Sequence, residues 1–167
     1  MLNKGKVVVL GGGSFGTAIA NIMAVNQHSA YLWMRSADRA ERTDFCRINS
    51  DYLPDYELSP HLGITADLKQ ALEKATTIFF AVPSSAIGVL AQSIADQVIP
   101  GTVIVSTAKG ICGEDFDTPI ELIRRQIPHA RVAVISGPKQ AQEIAKQHIT
   151  WTVVATGDPE LYRLDQN

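Results

Sequence analysis

The sequence is short of several residues and patterns that would mark common functions. It has two cysteines, Cys46 and Cys112, far apart and without a close Cys or His partner. That spacing is neither a disulfide framework nor a zinc site, and it suits a reducing cytosol. Basic residues are not in excess, since fifteen Lys and Arg face seventeen Asp and Glu for a net charge of −2. Such a chain has little to set against a phosphate backbone, so no nucleic-acid partner is expected. No apolar run approaches the roughly 18 residues of a membrane span. The run Val7–Leu10 is shorter than the ~7–15 residues of a secretion signal, and it leads into glycines rather than a cleavage site. A buried strand accounts for it better. His28, His61, His129 and His148 are isolated, and Glu143 and His148 are not spaced as a zinc-binding helix face, so no metal is expected. Glu114, Asp115 and Asp117 read as a solvated acidic face. Ser84 and Ser85 follow Pro83 and read as helix caps rather than nucleophiles.

What is present is a chain with enough apolar residues for one core. Hydrophobic residues make up 46% and charged residues 19% of its 167 positions, which fits a single domain of roughly 100–200 residues. Short apolar runs alternate with helix-period segments. Strands are expected at Lys6–Leu10, Ala30–Met34, Gly63–Thr65, Thr77–Val82, Thr102–Ser106, Arg131–Ser136 and Trp151–Ala155. Helices are expected at Ser14–Asn26, Ser36–Ile48, Asp67–Ala75, from Pro83 to about Val98, at Thr118–Ile127 and at Ala141–Gln147. Ser36 is positioned to cap the second helix, and Pro119 falls at the first position of the fifth. The stretch 49–56, rich in turn formers and carrying Pro54, reads as a loop. This alternation predicts an α/β fold of the Rossmann type: a doubly wound, mainly parallel sheet with helices on both faces, spanning residues 1–167.

Gly11-Gly12-Gly13-Ser14-Phe15-Gly16 matches G-x-G-x-x-G directly between a strand and a helix, the setting in which that motif binds a dinucleotide. Gly11 permits the tight turn, Gly13 lets the backbone approach a pyrophosphate, and Gly16 allows close helix–strand packing. The helix N-terminus then offers free N–H groups to the phosphates. About 20 residues further on, where an acidic side chain would hold an NAD ribose, the chain reads Leu32-Trp33-Met34-Arg35-Ser36-Ala37. Arg35, with Arg39 one helical turn on, suits a 2′-phosphate instead, so NADP is preferred over NAD. Lys109 follows the buried run Val103–Ser106 and should project from a strand's carboxyl end, where open α/β sheets bind ligands. There it can offset a substrate phosphate or the oxyanion of a ketone being reduced.

With these segments in place, the chain resembles the NAD(P)-dependent glycerol-3-phosphate dehydrogenases, specifically their N-terminal cofactor domain. The resemblance rests on GGGSFGTAIA at 11–20, LWMR at 32–35, NSDYLP at 49–54, AVPS at 81–84, TAKG at 107–110 and ISGPKQAQE at 135–143. It implies that Gly11, Gly13, Ser14, Phe15 and Gly16 wrap the pyrophosphate and that Arg35 faces the adenosine 2′-phosphate. It implies that Lys109 contacts both cofactor and substrate, that Gly137 meets glycerol 3-phosphate, and that Ala141 lies against the nicotinamide. Lys139 and Gln140 stand where the family usually has a small hydroxyl residue and a phenylalanine, so Lys139 would meet the substrate phosphate as a cation. Ala108 replaces a usual threonine. Phe15 replaces a usual tryptophan or tyrosine and keeps only the apolar face.

The activity so implied is reduction of dihydroxyacetone phosphate to sn-glycerol 3-phosphate with NADPH or NADH, a supply of glycerophospholipid backbone, in the cytoplasm. The family's helical C-terminal domain, with its proton-donor lysine, is expected to be absent from this chain. No catalytic acid is therefore expected within it, and the isolated chain should be nearly inactive. A homodimer is left open. Two alternatives stand beside this reading: a non-catalytic NADP(H)-binding module, and a related dehydrogenase of another small substrate.

Overall fold

The computed structural model describes residues 5–110, 117–136 and 153–164. The expected helix at Ala141–Gln147 lies outside them. Four consecutive β-branched or aliphatic residues make β1 (Lys6–Leu10) a strand buried on both faces. It pairs in parallel with β2 (Ala30–Trp33) on one side and β6 (Ala75–Phe80) on the other. The sheet extends outward through β5 (Gly63–Thr65) beyond β2, and through β7 (Val103–Ser106) and β8 (Arg131–Ser136) beyond β6. Its last strand, β9 (Val153–Thr156), runs antiparallel to β8. The strand order is β5-β2-β1-β6-β7-β8-β9, the doubly wound arrangement the alternation implied.

Helices cover both faces, and the pleat of each strand divides its side chains between them. Val7 and Val9 of β1, Leu32 of β2 and Phe79 of β6 pack with Ile19, Ala20 and Ala24 of α1 (Ser14–Val25) and Ala40 of α2 (Ala37–Cys46). On the other face Val8, Leu10, Ile78, Phe80 and Ile104 meet α3 (Leu68–Leu72), α4 (Ile87–Ile94) and α5 (Pro119–Gln126). A fully buried Leu, Ile or Phe contributes about 1.5–3 kcal/mol, whereas an exposed ion pair contributes about 0–1 kcal/mol. These two cores, not surface charges, hold the layers together. No helix among the described residues is long and apolar enough to cross a membrane.

Local chemistry sets the helix starts. Ser36 accepts the Arg39 N–H at the start of α2, and Asp67 accepts the Gln70 N–H at the start of α3. Thr118 and Glu121 form a reciprocal capping box ahead of Pro119. Ser84 and Ser85 do not act as the caps expected of them. They form a 3₁₀ turn with Ala86, and no side-chain cap bond closes its start or that of α4.

The stretch expected to be a loop, residues 49–56, is instead mostly a small antiparallel hairpin, β3 (Ile48–Asn49) with β4 (Leu53–Glu57). Two residues are too few for a legible alternation, and Pro54 is tolerated on an exposed strand that stands apart from the main sheet. The strand expected at Thr77–Val82 begins and ends two residues earlier, because its register is set by pairing Lys6 with Ala75 and Leu10 with Phe80.

Past β9 the chain turns into α6 (Pro159–Leu164). Asp158 accepts the backbone N–H groups of Glu160 and Leu161 and is gripped by Arg131 from β8, at 2.6 and 2.9 Å. The Arg131 guanidinium, aided by those N–H groups, holds the Asp158 carboxyl well below the usual carboxylate range. A depressed folded value means the contribution is present above the unfolded value of about 4 and is lost as pH falls through the lower folded one. Asp158→Asn should lower the thermal midpoint at pH 7, with a gap to the parent that shrinks as the pH drops below about 4. Circular-dichroism melts across that range check it, and a gap independent of pH would contradict it.

Candidate functional site

The chain leaves β1 toward β2 on one side and later returns to β6 on the other, so the strand order reverses between β1 and β6. Open α/β sheets bind ligands outside the carboxyl ends of the strands at this reversal. Four neighbouring parallel strands, β2, β1, β6 and β7, deliver Arg35, the glycine loop, Ala81–Pro83 and Lys109 to that one edge.

The glycine loop is shaped by two contacts that exclude a side chain. Gly11 has φ +123°, and a Cβ there would lie 2.3 Å from the Ala81 carbonyl oxygen. A Cβ on Gly16 would lie 2.0 Å from the Gly11 carbonyl oxygen and 3.0 Å from the Ala81 Cβ. These are the tight turn and the close helix–strand approach expected of the two positions. Gly13 differs. Its φ of −76° suits any residue, and among the described residues nothing lies within 4 Å of where its Cβ would be. Gly13 also begins α1 without a side-chain cap, and its N–H makes no hydrogen bond among the described residues. The loop thus presents an open backbone surface and a helix N-terminus, a fit for an anionic pyrophosphate. Ser14 and Phe15 open the helix half-buried, with Phe15 packed against the core under α1.

Arg35 is exposed just past β2, next to the Ser36 cap. Arg39 is not a second free cation beside it. Its Nε donates to Asp51 at 2.9 Å, and its guanidinium lies 4.8 Å from the centre of the Tyr52 ring. Arg42 donates to both oxygens of Asp51, at 2.9 and 2.8 Å. The hydrogen bond from Arg39 is the main reason the Asp51 carboxyl sits below its ordinary value.

Lys109 is exposed in the loop after β7. That loop is tied to the end of β6, where the Thr107 N–H and hydroxyl both donate to the Phe80 carbonyl at 3.1 Å. Gly110 takes φ +91°, a conformation that favours glycine. Gly137, Lys139, Gln140 and Ala141 lie outside the described residues, as do Cys112, Glu114, Asp115, Glu143 and His148. Asp117 pairs with Arg125, and the His129 ring bonds the Val98 carbonyl. Among the described residues no three His, Cys, Asp or Glu side chains gather to hold a metal ion.

One residue at this edge was given no role by sequence reasoning. Asn49, 1% exposed, reaches from the β3–β4 hairpin to the Gly12 carbonyl at 3.0 Å and the Thr17 hydroxyl at 2.8 Å. In the sequence it is the first residue of the NSDYLP segment and of a stretch of turn formers, and neither singles out its side chain.

The sequence profile described as the NAD-dependent glycerol-3-phosphate dehydrogenase N-terminus matches residues 6–162. This chain belongs to that family. The glycerol-3-phosphate dehydrogenase [NAD(P)+] of Teredinibacter turnerae is 43% identical over 93% of this chain and 46% of its own length. That of Saccharophagus degradans is 39% identical, over 99% of this chain and 46% of its own length. The crystal structure of glycerol-3-phosphate dehydrogenase from Coxiella burnetii superposes with a TM-score of 0.89 at 28% identity, covering 95% of this chain and 49% of that one. This chain spans about half the length of the curated relatives it matches.

The contrast between the glycines gives a direct check. Gly16→Ala should lower stability by about 1–3 kcal/mol through overpacking. Gly13→Ala should melt with the parent, yet bind NADPH at least about tenfold more weakly if a ligand is what keeps that position bare. Thermal melts and a fluorescence titration separate the two. Equal affinity of Gly13→Ala and parent would show that the open face is not used.

Proposed function

We propose that this chain is the dinucleotide-holding half of an NAD(P)-dependent glycerol-3-phosphate dehydrogenase, which reduces dihydroxyacetone phosphate to sn-glycerol 3-phosphate. The observation that carries this reading is the glycine loop. Of the three motif glycines, Gly11 and Gly16 are closed by the protein itself, while Gly13 is open and its N–H has no partner among the described residues, which leaves room for a pyrophosphate and a donor to meet it. When bound, the reduced nicotinamide supplies the hydride for the ketone carbon.

The chain's own residues divide the remaining work. Gly11, Gly13, Ser14, Phe15 and Gly16 seat the pyrophosphate. Lys109, at the carboxyl end of β7, offsets negative charge where the cofactor and substrate meet. Gly137 and Lys139 are assigned to the substrate phosphate and Ala141 to the nicotinamide end. The acid that protonates the ketone oxygen is assigned to a part of the enzyme outside residues 1–167. The cytosol, where an exposed thiol such as Cys46 stays reduced, is the proposed compartment.

NADP is the preferred cofactor. No carboxylate stands at the end of β2, and Arg35 offers a guanidinium there. A second reading, a non-catalytic NADP(H)-binding module, is favoured by one feature, the Lys139-Gln140 pair in place of the family's usual residues. Robust turnover of dihydroxyacetone phosphate by the isolated chain would refute it.

Titrating the chain with NADPH and following nucleotide fluorescence tests the binding half, and no change at millimolar cofactor would sink it. Arg35→Asp should weaken NADPH by at least about tenfold, the scale of a lost charge-assisted hydrogen bond, with little effect on NADH. Equal losses for the two would overturn the 2′-phosphate assignment.

A further inference from the structure

We propose that Asn49 is a positioning residue for the dinucleotide: it turns the Gly12–Gly13 peptide so that the Gly13 N–H faces the pyrophosphate. This rests on the reading of the glycine loop as the pyrophosphate seat. A carbonyl oxygen can only accept, so the atom of Asn49 that meets the Gly12 carbonyl is its amide nitrogen, Nδ2. The same Nδ2 donates to the Thr17 Oγ1 on the first turns of α1. Both side chains are buried, Asn49 at 1% and Thr17 at 0% exposure, so the bonds are sheltered from competing water.

The consequence follows from peptide geometry. In a planar trans peptide the C=O and the next N–H point in opposite directions, and no cis peptide occurs among the described residues. Tying the Gly12 carbonyl inward to Asn49 therefore turns the Gly13 N–H outward. That N–H has no hydrogen-bond partner among the described residues, and the space beside Gly13 is open. A glycine peptide is the easiest in the chain to rotate, since neither flanking residue carries a Cβ to resist it. Without Asn49, the peptide is free to turn its carbonyl toward the incoming phosphate, replacing a donor with a repelling dipole.

The hairpin that carries Asn49 is itself fastened to α1. Asn21 accepts the Ser59 N–H at 2.6 Å and donates to the Glu57 carbonyl at 3.4 Å. Two residues beyond Asn49, Asp51 holds Arg39 and Arg42 of α2. Asn49 thus sits on a fixed support.

Asn49→Ala and Asn49→Asp in the full chain, titrated with NADPH and NADH by fluorescence, test the proposal. The expected result is a loss of about tenfold or more in affinity, equal for the two cofactors because both carry the same pyrophosphate. Adenosine 2′-monophosphate has no 5′-phosphate to meet Gly13, and its affinity, measured by calorimetry, should stay within about twofold of the parent's. Unchanged NADPH affinity in a folded variant overturns the proposal. So does a parallel loss for adenosine 2′-monophosphate, which would show Asn49 to be general support. If neither variant folds, Thr17→Val loosens the Asn49 amide with less damage. A fall in NADPH and NADH affinity at full binding stoichiometry supports the role, and unchanged affinity overturns it. Failure of the parent to bind NADPH at all would instead remove the loop reading itself.

Discussion

The carboxyl edge of the sheet depends on how closely α1 approaches β1. Gly16 faces the Gly11 carbonyl across a gap that admits no Cβ, and Gly11 takes a positive φ beside the Ala81 carbonyl. This contact sets the depth at which Ile19, Ala20 and Ala24 meet Val7 and Val9. It also sets the direction in which the uncapped start of α1 points. A helix displaced by a methyl group would lose core packing and move its N–H groups away from the crevice together. Packing and ligand geometry are therefore one constraint here rather than two.

The β3–β4 hairpin is the second support of the same edge, and its means differ from those of the core. The main sheet is held by apolar burial. The hairpin reaches the loop through an asparagine, because Gly12 has no side chain to pack against and offers only its carbonyl. From the same short hairpin Asp51 gathers Arg39 and Arg42, while Arg35 stands apart at the end of β2. The hairpin so links the two helices that flank the dinucleotide edge. Exposed ion pairs of this kind contribute little to stability, and the effect of Asp51 is to fix where α2's positive charge lies.

Much of this was legible beforehand, for identifiable reasons. β1 and β8 appear with the bounds expected of them, and in β1 a continuous apolar run buried between two parallel neighbours leaves little choice of register. The glycine loop was legible because each glycine answers a separate steric demand. The hairpin was not, since its strands are short, half-exposed and rich in the residues that also make turns. Arg39 stands one helical turn from Arg35 in the sequence, and only the distances to Asp51 and Tyr52 show it engaged elsewhere. Ser84 and Ser85 looked like caps, yet a 3₁₀ turn intervenes before α4.

By itself the sequence determined the α/β alternation, the parallel sheet and the strand–glycine–helix unit at its centre. These follow from local patterns: apolar runs, helical periodicity and residues that permit particular backbone angles. Only the tertiary structure decided which polar side chains meet which backbone groups. Asn49 and Gly12 are far apart along the chain, as are Lys109 and Arg35, and nothing local ties them. Doubly wound topology returns the strands that carry Arg35 and Lys109 to one edge, and the separate β3–β4 hairpin brings Asn49 to Gly12 there, so position is set by tertiary arrangement rather than by neighbourhood in sequence.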